Sequence, residues 1–445
     1  MTRQEPTAEM DSHAESIRVV APLDGDGVRL LISALALRRH WPDSRIQLTI
    51  VAPTSRSGFA SRLQMLLEPR RVGVEIVLTR PTQFCWQDWR ALLSGLAARD
   101  DGTVPVLDIS AASPETAVRA CDDAAFACAS GFRVLSYEPR RGNAWMWASP
   151  RTRTTAVEQI AIDVGDANHV ELGAVSASEL LGLFDLHVGA EDPYRLGPAP
   201  DGSVGTLLLA SAISVLAAFR TDENAYREFR RRLAAALRPG AAGAVLETVG
   251  LPATLGKAFD GLVDLGLACR NGEGRVVLRD EPERGAGFFL AGGWLEVLVA
   301  EALQRAFGCD RVVQRNAGAA WGDGDPRQVA YAEADAVFVK DNQLFVVSCK
   351  NEFVGERIFR HLDRLRALTA EFGEAHVRPV LLSTEPLEDR AILRCRAYEI
   401  AVLDGLRLLE ALAADTASRS PGRLLRAITD GTAGTPGPGM GGSGQ

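Results

Sequence analysis

The sequence is poor in the features that mark disulfide-linked, zinc-binding and secreted proteins. Its seven cysteines include no CxxC pair, and its six histidines include no HxxxH pair. This usage indicates reduced, mostly buried thiols rather than a disulfide framework or a zinc knuckle. Residues 1–16 carry four acidic side chains and no apolar segment of the kind that signal peptides contain.

Long hydrophobic runs are also absent. The longest apolar stretches, such as residues 207–219, are interrupted by serine and are shorter than the ~20 residues that cross a bilayer. Together with the missing signal peptide, this pattern predicts a cytoplasmic protein with no membrane contact.

Lysine is scarce, because only Lys257, Lys340 and Lys350 are found among the 49 cationic residues. A lysine in so arginine-rich a chain therefore needs a specific reason. The formal net charge of −8 excludes a uniformly positive surface, so any nucleic-acid contact must come from a local patch. The arginine run 227–238 is one candidate, although such a run is more often a solvated helix face.

The length of 445 residues favours two or three domains. After a disordered tail at residues 1–16, residues 17–155 alternate short β-branched strands with helices of 10–15 residues. This alternation predicts an α/β domain with a Rossmann-like parallel sheet and helices on both faces. Its predicted strands are 17–21, 46–52, 72–78, 104–109 and 133–137.

The second half of the sequence divides again by pattern. In the linker region 156–286, helical patterns are followed by a hairpin with a turn at Asn271–Gly274, which predicts a small winged-helix-like module. Residues 287–415 form the last predicted domain. Residues 416–445 are rich in glycine and proline and are expected to be a disordered tail.

Two adjacent strands of the last domain carry an unusual set of polar residues. Residues 334–340 and 343–350 predict a hairpin with a two-residue turn at Asp341–Asn342. In that register Asp335 lies opposite Ser348 and Glu333 lies opposite Lys350, all on one face. The remaining positions of both faces are apolar, which is typical of central strands. Buried acids and a lysine at one end of such a hairpin are costly unless they are paired or bind metal.

A third acid is expected to approach the same hairpin. Glu296 lies on a predicted helix, 288–307, with Val299, Ala300 and Leu303 on the same face, so its carboxylate turns toward the core. Further helices and strands are predicted at 353–372, 377–383, 387–398 and 400–403. The predicted element order of this domain is αβββαβ.

This arrangement resembles the PD-(D/E)xK nuclease core, whose fold is restriction-endonuclease-like. With Gly293-Trp294-Leu295-Glu296, the segment 333–337 and Leu362-Asp363-Arg364-Leu365, it is similar to the nucleases attached to CARF sensor domains in type III CRISPR systems. The resemblance implies a homodimer that cuts DNA and/or RNA, with cyclic oligoadenylate bound at the Rossmann-like, CARF-like domain. It also implies Mg²⁺ or Mn²⁺ at Glu296, Asp335 and the carbonyl of Cys349, and Lys350 beside the attacking water.

The sequence departs from the family pattern in two places. Ser348 stands where the family has glutamate, which removes one anionic oxygen ligand. Either Glu333 compensates from across the hairpin and joins the catalytic set, or the metal binds weakly.

The second departure is in the sensor. The family commonly has a Gly-Gly-Thr-Lys-like run in the loop after the fourth strand, and this chain has residues 110–116, Ser-Ala-Ala-Ser-Pro-Glu-Thr, in its place. The ligand-binding residues that the resemblance implies there are Leu23, Asp24, Gly25, Ser110, Ala111, Ala112, Ser113 and Thr116. The helix N-terminus after Ser113 still offers N–H groups to a phosphate. Asp24 and Asp26, however, would repel a polyanion.

Other readings of these residues remain open. Asp335, Ser348 and Lys350 would suit an inert salt bridge, but a chain so rich in arginine should then have used arginine, which holds carboxylates better. Cys349 lies on the opposite face of the strand and suits the core better than a nucleophile. A rival function is a catalytically decayed sensor or regulator that binds DNA through its winged-helix-like module.

Overall fold

The computed structural model describes 19 stretches of the chain, and these exclude both termini. They are residues 16–79, 86–97, 105–127, 132–138, 143–148, 159–162, 175, 177–183, 186–189, 203–237, 244–272, 274–281, 284–307, 314–321, 332–340, 343–351, 357–371, 377–418 and 422–432. The chain forms two compact units. Unit 1 comprises Met1–Asp185 with Val339–Gln343, and unit 2 comprises Leu186–Phe338 and Leu344–Gln445.

Unit 1 alternates strands and helices. Its strands are β1 (Ser16–Pro22), β2 (Arg45–Pro53), β3 (Val72–Thr79), β4 (Val106–Asp108), β5 (Arg133–Glu138), β6 (Asn143–Ala148) and β7 (Gln159–Ile162). Its helices are α1 (Gly27–His40), α2 (Ser57–Leu67), α3 (Trp86–Ala97), α4 (Pro114–Ala127) and α5 (Ala177–Leu183).

The unit 1 strands form one sheet in the order β3-β2-β1-β4-β5-β6-β7. The first five of these run parallel to their neighbours, and β6 and β7 are antiparallel additions at one edge. The predicted Rossmann-like parallel sheet is therefore confirmed. In this arrangement the loops after β1 and β4 lie at the same, carboxyl edge of the sheet, where α/β proteins bind ligands.

The helix after β1 begins at a side-chain cap. Asp26 accepts a hydrogen bond from the Val28 amide at 3.1 Å, which satisfies one of the free N–H groups of the first turn. Nearly every side chain from Val28 to Leu37 is buried, so α1 is a core helix. Two cationic side chains in its last turn, Arg38 and Arg39, complement the negative end of the helix dipole.

Unit 2 contains the remaining elements. Its strands are β8 (Leu186–Gly189), β9 (Ala244–Glu247), β10 (Ala268–Asn271), β11 (Arg275–Leu278), β12 (Asp280–Glu281), β13 (Arg284–Gly285), β14 (Gln314–Trp321), β15 (Ala332–Lys340), β16 (Gln343–Lys350), β17 (Val377–Ser383) and β18 (Ala401–Asp404). Its helices are α6 (Ser203–Thr221), α7 (Glu223–Ala236), α8 (Ala253–Asp264), α9 (Ala286–Phe288), α10 (Trp294–Phe307), α11 (Arg357–Glu371), α12 (Asp389–Ala397), α13 (Gly405–Ala417) and α14 (Arg423–Thr432).

The first part of unit 2 has winged-helix topology. Helices α6, α7 and α8 accompany a small antiparallel sheet in the order β10-β11-β9. The predicted turn after Asn271 is present, and Gly274 adopts the left-handed φ of +71° that favours glycine. Helix α7 buries Tyr226, Phe229 and Leu233 along one face, which leaves its opposite face polar.

The second part of unit 2 is built on a sheet in the order β18-β17-β16-β15-β14-β8. Strands β16, β17 and β18 are parallel, whereas β14 pairs antiparallel with both β15 and β8. The α/β class and the αβββαβ element order are therefore confirmed. Strand β8 lies in the segment that the sequence analysis assigns to the linker region. It was not predicted as a strand because its partner β14 is distant in sequence.

The core of unit 2 lies between the sheet and α10. Phe345, Val347 and Cys349 of β16 join one apolar cluster with the inward face of α10. The helical stretch Ala286–Phe307 is the one helix of the described residues that is long and apolar enough to span a membrane, and 72% of its most apolar 18-residue window is buried inside the protein. Its burial identifies it as the central core helix of this sheet.

The predicted disorder of residues 416–445 is wrong for residues 423–432, which form α14. Leu424 and Ile428 of α14 are fully buried in the unit 2 core. The Asp415 carboxylate caps this helix by accepting the amides of Gly422, Arg423 and Leu424 at 2.9–3.0 Å. Residues 433–445 and residues 1–15 of the tail predicted at 1–16 lie outside the described residues, whereas Ser16 belongs to β1.

Candidate functional site

A buried carboxylate lies where β15 and β16 are neighbours. Asp335 is 5% exposed, and its Oδ2 accepts a hydrogen bond from the Ser348 hydroxyl at 3.1 Å. The same oxygen accepts the backbone amide of Cys349 and lies 3.6 Å from the Lys350 ammonium. Asp335, Ser348 and Lys350, which the sequence places on one face, are thus in direct contact.

Lys350 is positioned to act at the edge of this cluster. It is the last residue of β16, and its side chain is 33% exposed, whereas Asp335 and Ser348 are buried. Its ammonium therefore has a buried carboxylate on one side and solvent on the other. A cation in this position can contact a bound polyanion while it remains paired with Asp335.

Glu296 and Cys349 approach the cluster from the side of α10. Glu296 lies in the first turn of α10, where a carboxylate is favoured by the helix dipole. Burial raises the pKa of the Cys349 thiol well above its ordinary value, and the charges of Asp335 and Glu296 raise it further while Lys350 lowers it. Both carboxylates are thus close enough to act on this residue. Cys349 remains a neutral, buried thiol, which excludes it as a nucleophile.

His361 of α11 is a member of the cluster that the sequence analysis missed. Its Nε2 lies 2.8 Å from the Ser348 hydroxyl. Burial, and then the positive charges of Lys350 and Arg364, lower its pKa from 6.5 to about 4, so the imidazole is neutral at neutral pH. One signal was available in the sequence, because His361 shares the inward face of α11 with Ile358 and Leu365.

The oxygen donors of this cluster suit a hard divalent cation. Two of the three expected ligands, Asp335 and Glu296, are carboxylates, and Mg²⁺ is often bound by one or two carboxylates plus water and substrate oxygens. In the part of the chain that the structure describes, no group of three or more His, Cys, Asp or Glu side chains is placed to hold a metal ion, so backbone, water and substrate oxygens would complete the set. The donor chemistry therefore fits Mg²⁺ or Mn²⁺ with few protein ligands.

Glu333 is placed only by its backbone. It lies on β15 opposite Gly318 of β14. Its side chain and the predicted turn Asp341–Asn342 lie outside the described residues, so its compensation for Ser348 stays a prediction.

The residues predicted to bind a ligand in unit 1 meet at the carboxyl edge of the sheet. The Gly25 amide donates to the Ala111 carbonyl at 2.8 Å, and a Cβ on Gly25 would lie only 2.8 Å from that oxygen. Leu23 is buried and donates its amide to Val51. The two loops therefore approach so closely that only glycine fits at position 25.

Hydrogen bonds with α1 and β5 hold the loop after β4 in place. The Asp108 carboxylate accepts the Ser110 amide at 2.8 Å and the Ser33 hydroxyl, while the Ser110 hydroxyl accepts the Tyr137 amide at 2.9 Å. The Ala112 amide donates a hydrogen bond to the Ile109 carbonyl at 3.1 Å. Asp108 is fully buried, and burial raises its pKa from 3.8 to about 6 despite these hydrogen bonds.

Asp24 lies in the loop after β1, and its carboxylate contacts the residues at the start of α4. Its carboxylate accepts the Ser113 amide at 2.8 Å, the Ser113 hydroxyl at 2.9 Å and the Thr116 hydroxyl at 2.5 Å. These three donors lie next to the helix N-terminus whose N–H groups the sequence analysis offered to a ligand phosphate. In the structure an internal anion already uses them.

Comparisons with known proteins agree with this architecture. Residues 283–410 match the family model of the Card1-like endonuclease domain. No curated protein matches the sequence. The fold is similar to that of protein VC1899 from Vibrio cholerae, with a TM-score of 0.62, 15% identity, and coverage of 94% of this chain and 99% of that one.

A second similar structure is Can2 from Sulfobacillus thermosulfidooxidans, which was solved in complex with cyclic tetra-adenylate. Its TM-score is 0.57 at 13% identity, with coverage of 92% of this chain and 99% of Can2. At these identities the two structures establish the fold. The endonuclease-domain match over residues 283–410 agrees with the nuclease part of the resemblance, and the two structures agree with its fold.

Proposed function

From the Card1-like endonuclease domain at residues 283–410, we propose that this protein is a metal-dependent nuclease effector that cuts DNA and/or RNA in anti-phage defence. Its proposed regulator is a cyclic oligoadenylate bound at the CARF-like domain, with an effect that is expected to be small in this chain. The observation that carries this proposal is the contact of the partly exposed Lys350 with the buried Asp335, at 3.6 Å, at the end of β16. A lysine is unusual in this chain, and this one lies where a nuclease needs a cation.

The metal would be held by Glu296, Asp335 and the carbonyl oxygen of Cys349. When bound, Mg²⁺ or Mn²⁺ polarises the scissile phosphate and makes water a better nucleophile. Lys350 orients the attacking water or stabilises the negative charge that develops on the phosphate oxygens. Ser348 holds Asp335 in place through its hydrogen bond, so the carboxylate keeps its orientation when substrate enters.

The regulatory ligand is proposed for the loops after β1 and β4. They meet at the carboxyl edge of the sheet, and Can2, whose fold is similar, was solved with cyclic tetra-adenylate. Here the absence of lysine and arginine from residues 110–116, together with the Asp24 cap, supports weak binding. The nuclease would then respond only slightly to this ligand.

A homodimer is proposed through α4 of the sensor. Phe126 of this helix is 93% exposed and Val118 is 66% exposed, which is unusual for large apolar side chains. A second copy of the chain is the expected occupant of this face, because the resemblance to CARF-domain nucleases implies a homodimer.

A second candidate function is a catalytically decayed regulator that binds DNA through the winged-helix-like module. The replacement of the family glutamate by Ser348 favours it, since that change removes an anionic ligand. The two functions differ in whether nucleic acid is cut or only bound.

Purified protein incubated with labelled single- and double-stranded DNA and RNA distinguishes them. Each substrate is tested with Mg²⁺, with Mn²⁺ and with EDTA, and with and without cyclic oligoadenylates. The proposal predicts cleavage of at least one substrate that EDTA abolishes. Binding without cleavage under every condition would instead support the regulator.

A further inference from the structure

The residue that follows Lys350 connects distant parts of unit 2. Asn351 is buried, and its side-chain amide donates to the Ala291 carbonyl at 2.8 Å and to the Tyr226 hydroxyl at 3.2 Å. Ala291 lies in the single π-helical turn Phe289–Gly293, immediately before the helix that carries Glu296. Such turns often occur at functional sites. Asn351 therefore ties the end of the Lys350 strand to the start of the Glu296 helix.

The backbone of Asn351 is held as well. Its carbonyl oxygen accepts the Arg230 guanidinium, through Nη1, at 2.8 Å and the Thr384 hydroxyl at 2.8 Å. The Thr384 amide donates to the Lys350 carbonyl at 3.0 Å. The backbone that follows the Lys350 side chain is thus held at two consecutive carbonyl groups, and one of the groups that holds it is a cation from α7.

The arginines of α7 are not equivalent. Arg227 bonds to Glu223 at 2.7 Å, and Arg231 and Arg232 bond to Glu228 at 2.7 Å and 2.9 Å. These are pairs within one helix. Arg230, which is half-buried, is the member of this group whose guanidinium reaches the strand end of the nuclease domain.

We propose that Asn351 is a positioning residue of the nuclease site, held by Arg230, and that the winged-helix-like module acts on the site through this contact. The inference rests on the proposed nuclease function. Asn351 does not touch the reacting atoms; it sets the distance between the Lys350 ammonium and the Glu296 carboxylate. A misplacement of about 1 Å in such a site costs roughly 10²-fold in rate.

Steady-state cleavage by Arg230→Ala, Arg230→Lys and Arg231→Ala variants tests the proposal. Arg231 is the matched control, because it is a neighbouring arginine of α7 that is 73% exposed and bonded to Glu228. We expect Arg230→Ala to lower kcat about 10- to 100-fold with KM within about twofold of the wild type. Arg230→Lys should recover part of the rate, and Arg231→Ala should match the wild type.

Two results of this comparison overturn the proposal. One is an Arg230→Ala variant with unchanged kcat. The other is an Arg230→Ala variant with raised KM and unchanged kcat, which would make Arg230 a contact for nucleic acid. A wild type that cleaves nothing under any condition would refute the proposed function instead, and would be recognised before any variant is compared.

Amide hydrogen exchange provides a readout that does not depend on cleavage. In Arg230→Ala, peptides covering residues 343–351 should exchange faster than in the wild type, while Arg231→Ala should leave them unchanged. Tyr226→Phe removes only the hydroxyl that contacts Asn351 and should give a smaller increase. Equal exchange in Arg230→Ala and wild type would show that Arg230 does not hold this strand end.

Discussion

The Asp24 carboxylate offers a sharp test of the sensor, because it occupies the anion position that a ligand phosphate would need. Its three hydrogen bonds come from the amide and hydroxyl of Ser113 and the hydroxyl of Thr116. Asp24→Asn removes the charge and keeps the shape of the side chain. A phosphate approaching the start of α4 would then no longer meet a negative charge, while the amide oxygen of the variant side chain could still accept the same hydrogen bonds.

The size of the effect follows from the charges. Two like unit charges about 4 Å apart repel by about 1 kcal/mol in water and about 4 kcal/mol at an effective dielectric constant of ~20. Asp24 is half-buried, so its repulsion lies between these limits. Cyclic tetra-adenylate should therefore bind Asp24→Asn about 5-fold to 10³-fold more tightly than the wild type. The lost negative charge at the start of α4 should also destabilise the sensor by roughly 0.3–1 kcal/mol.

Isothermal titration with cyclic tetra-adenylate measures this difference. Asp122→Asn is the matched control, since it makes the same charge change on an exposed position of α4. We expect weak or no binding by the wild type and by Asp122→Asn, and tighter binding by Asp24→Asn. Nanomolar binding by the wild type would refute the reasoning. So would weaker binding by Asp24→Asn, which would mean that Asp24 contacts the ligand directly.

Three further predictions concern separate parts of the chain. Ser348→Glu restores the family carboxylate and should tighten Mn²⁺ binding about tenfold by calorimetry, once His361 has moved aside; unchanged binding would place residue 348 away from the metal. Asp108→Asn should be more stable than the wild type at pH 7 by about 3 kcal/mol, from about 1.4 kcal/mol for each unit between 3.8 and about 6. Since the raised pKa makes ionisation unfavourable in the folded state, the difference should close as the pH falls toward 4, and urea unfolding that shows no such trend would contradict it. Phe126→Asp should shift sedimentation toward the monomer, whereas an unchanged dimer would place the interface elsewhere.

The sheet that carries Asp335 could be predicted because its signal is local. Strands β16 and β17 have the bounds that the sequence predicts, since apolar residues form most of both segments. The neighbouring positions of Asp335 and Ser348 follow from the two-residue period of strands. Lys350 stood out because lysine is rare in this chain.

The missed features depend on partners that are distant in sequence. Strand β8 is four residues long and is defined by its pairing with β14, which begins more than a hundred residues later. The Asp24 cap joins residues separated by 89 positions. Helix α14 was missed because glycine and proline dominate the composition beyond it, while its own Leu424 and Ile428 are spaced for a buried helix face.

Metal-dependent cleavage by Asp335→Ala and Lys350→Ala, compared with Lys257→Ala, tests the central claim most directly. Lys257 is an exposed lysine of α8 and therefore controls for the loss of a cation. The account predicts that both site variants lose cleavage by about 10³-fold or more, with the fold preserved by thermal unfolding, while Lys257→Ala cuts like the wild type. Normal cleavage by Asp335→Ala and Lys350→Ala would contradict the account and place the active site elsewhere.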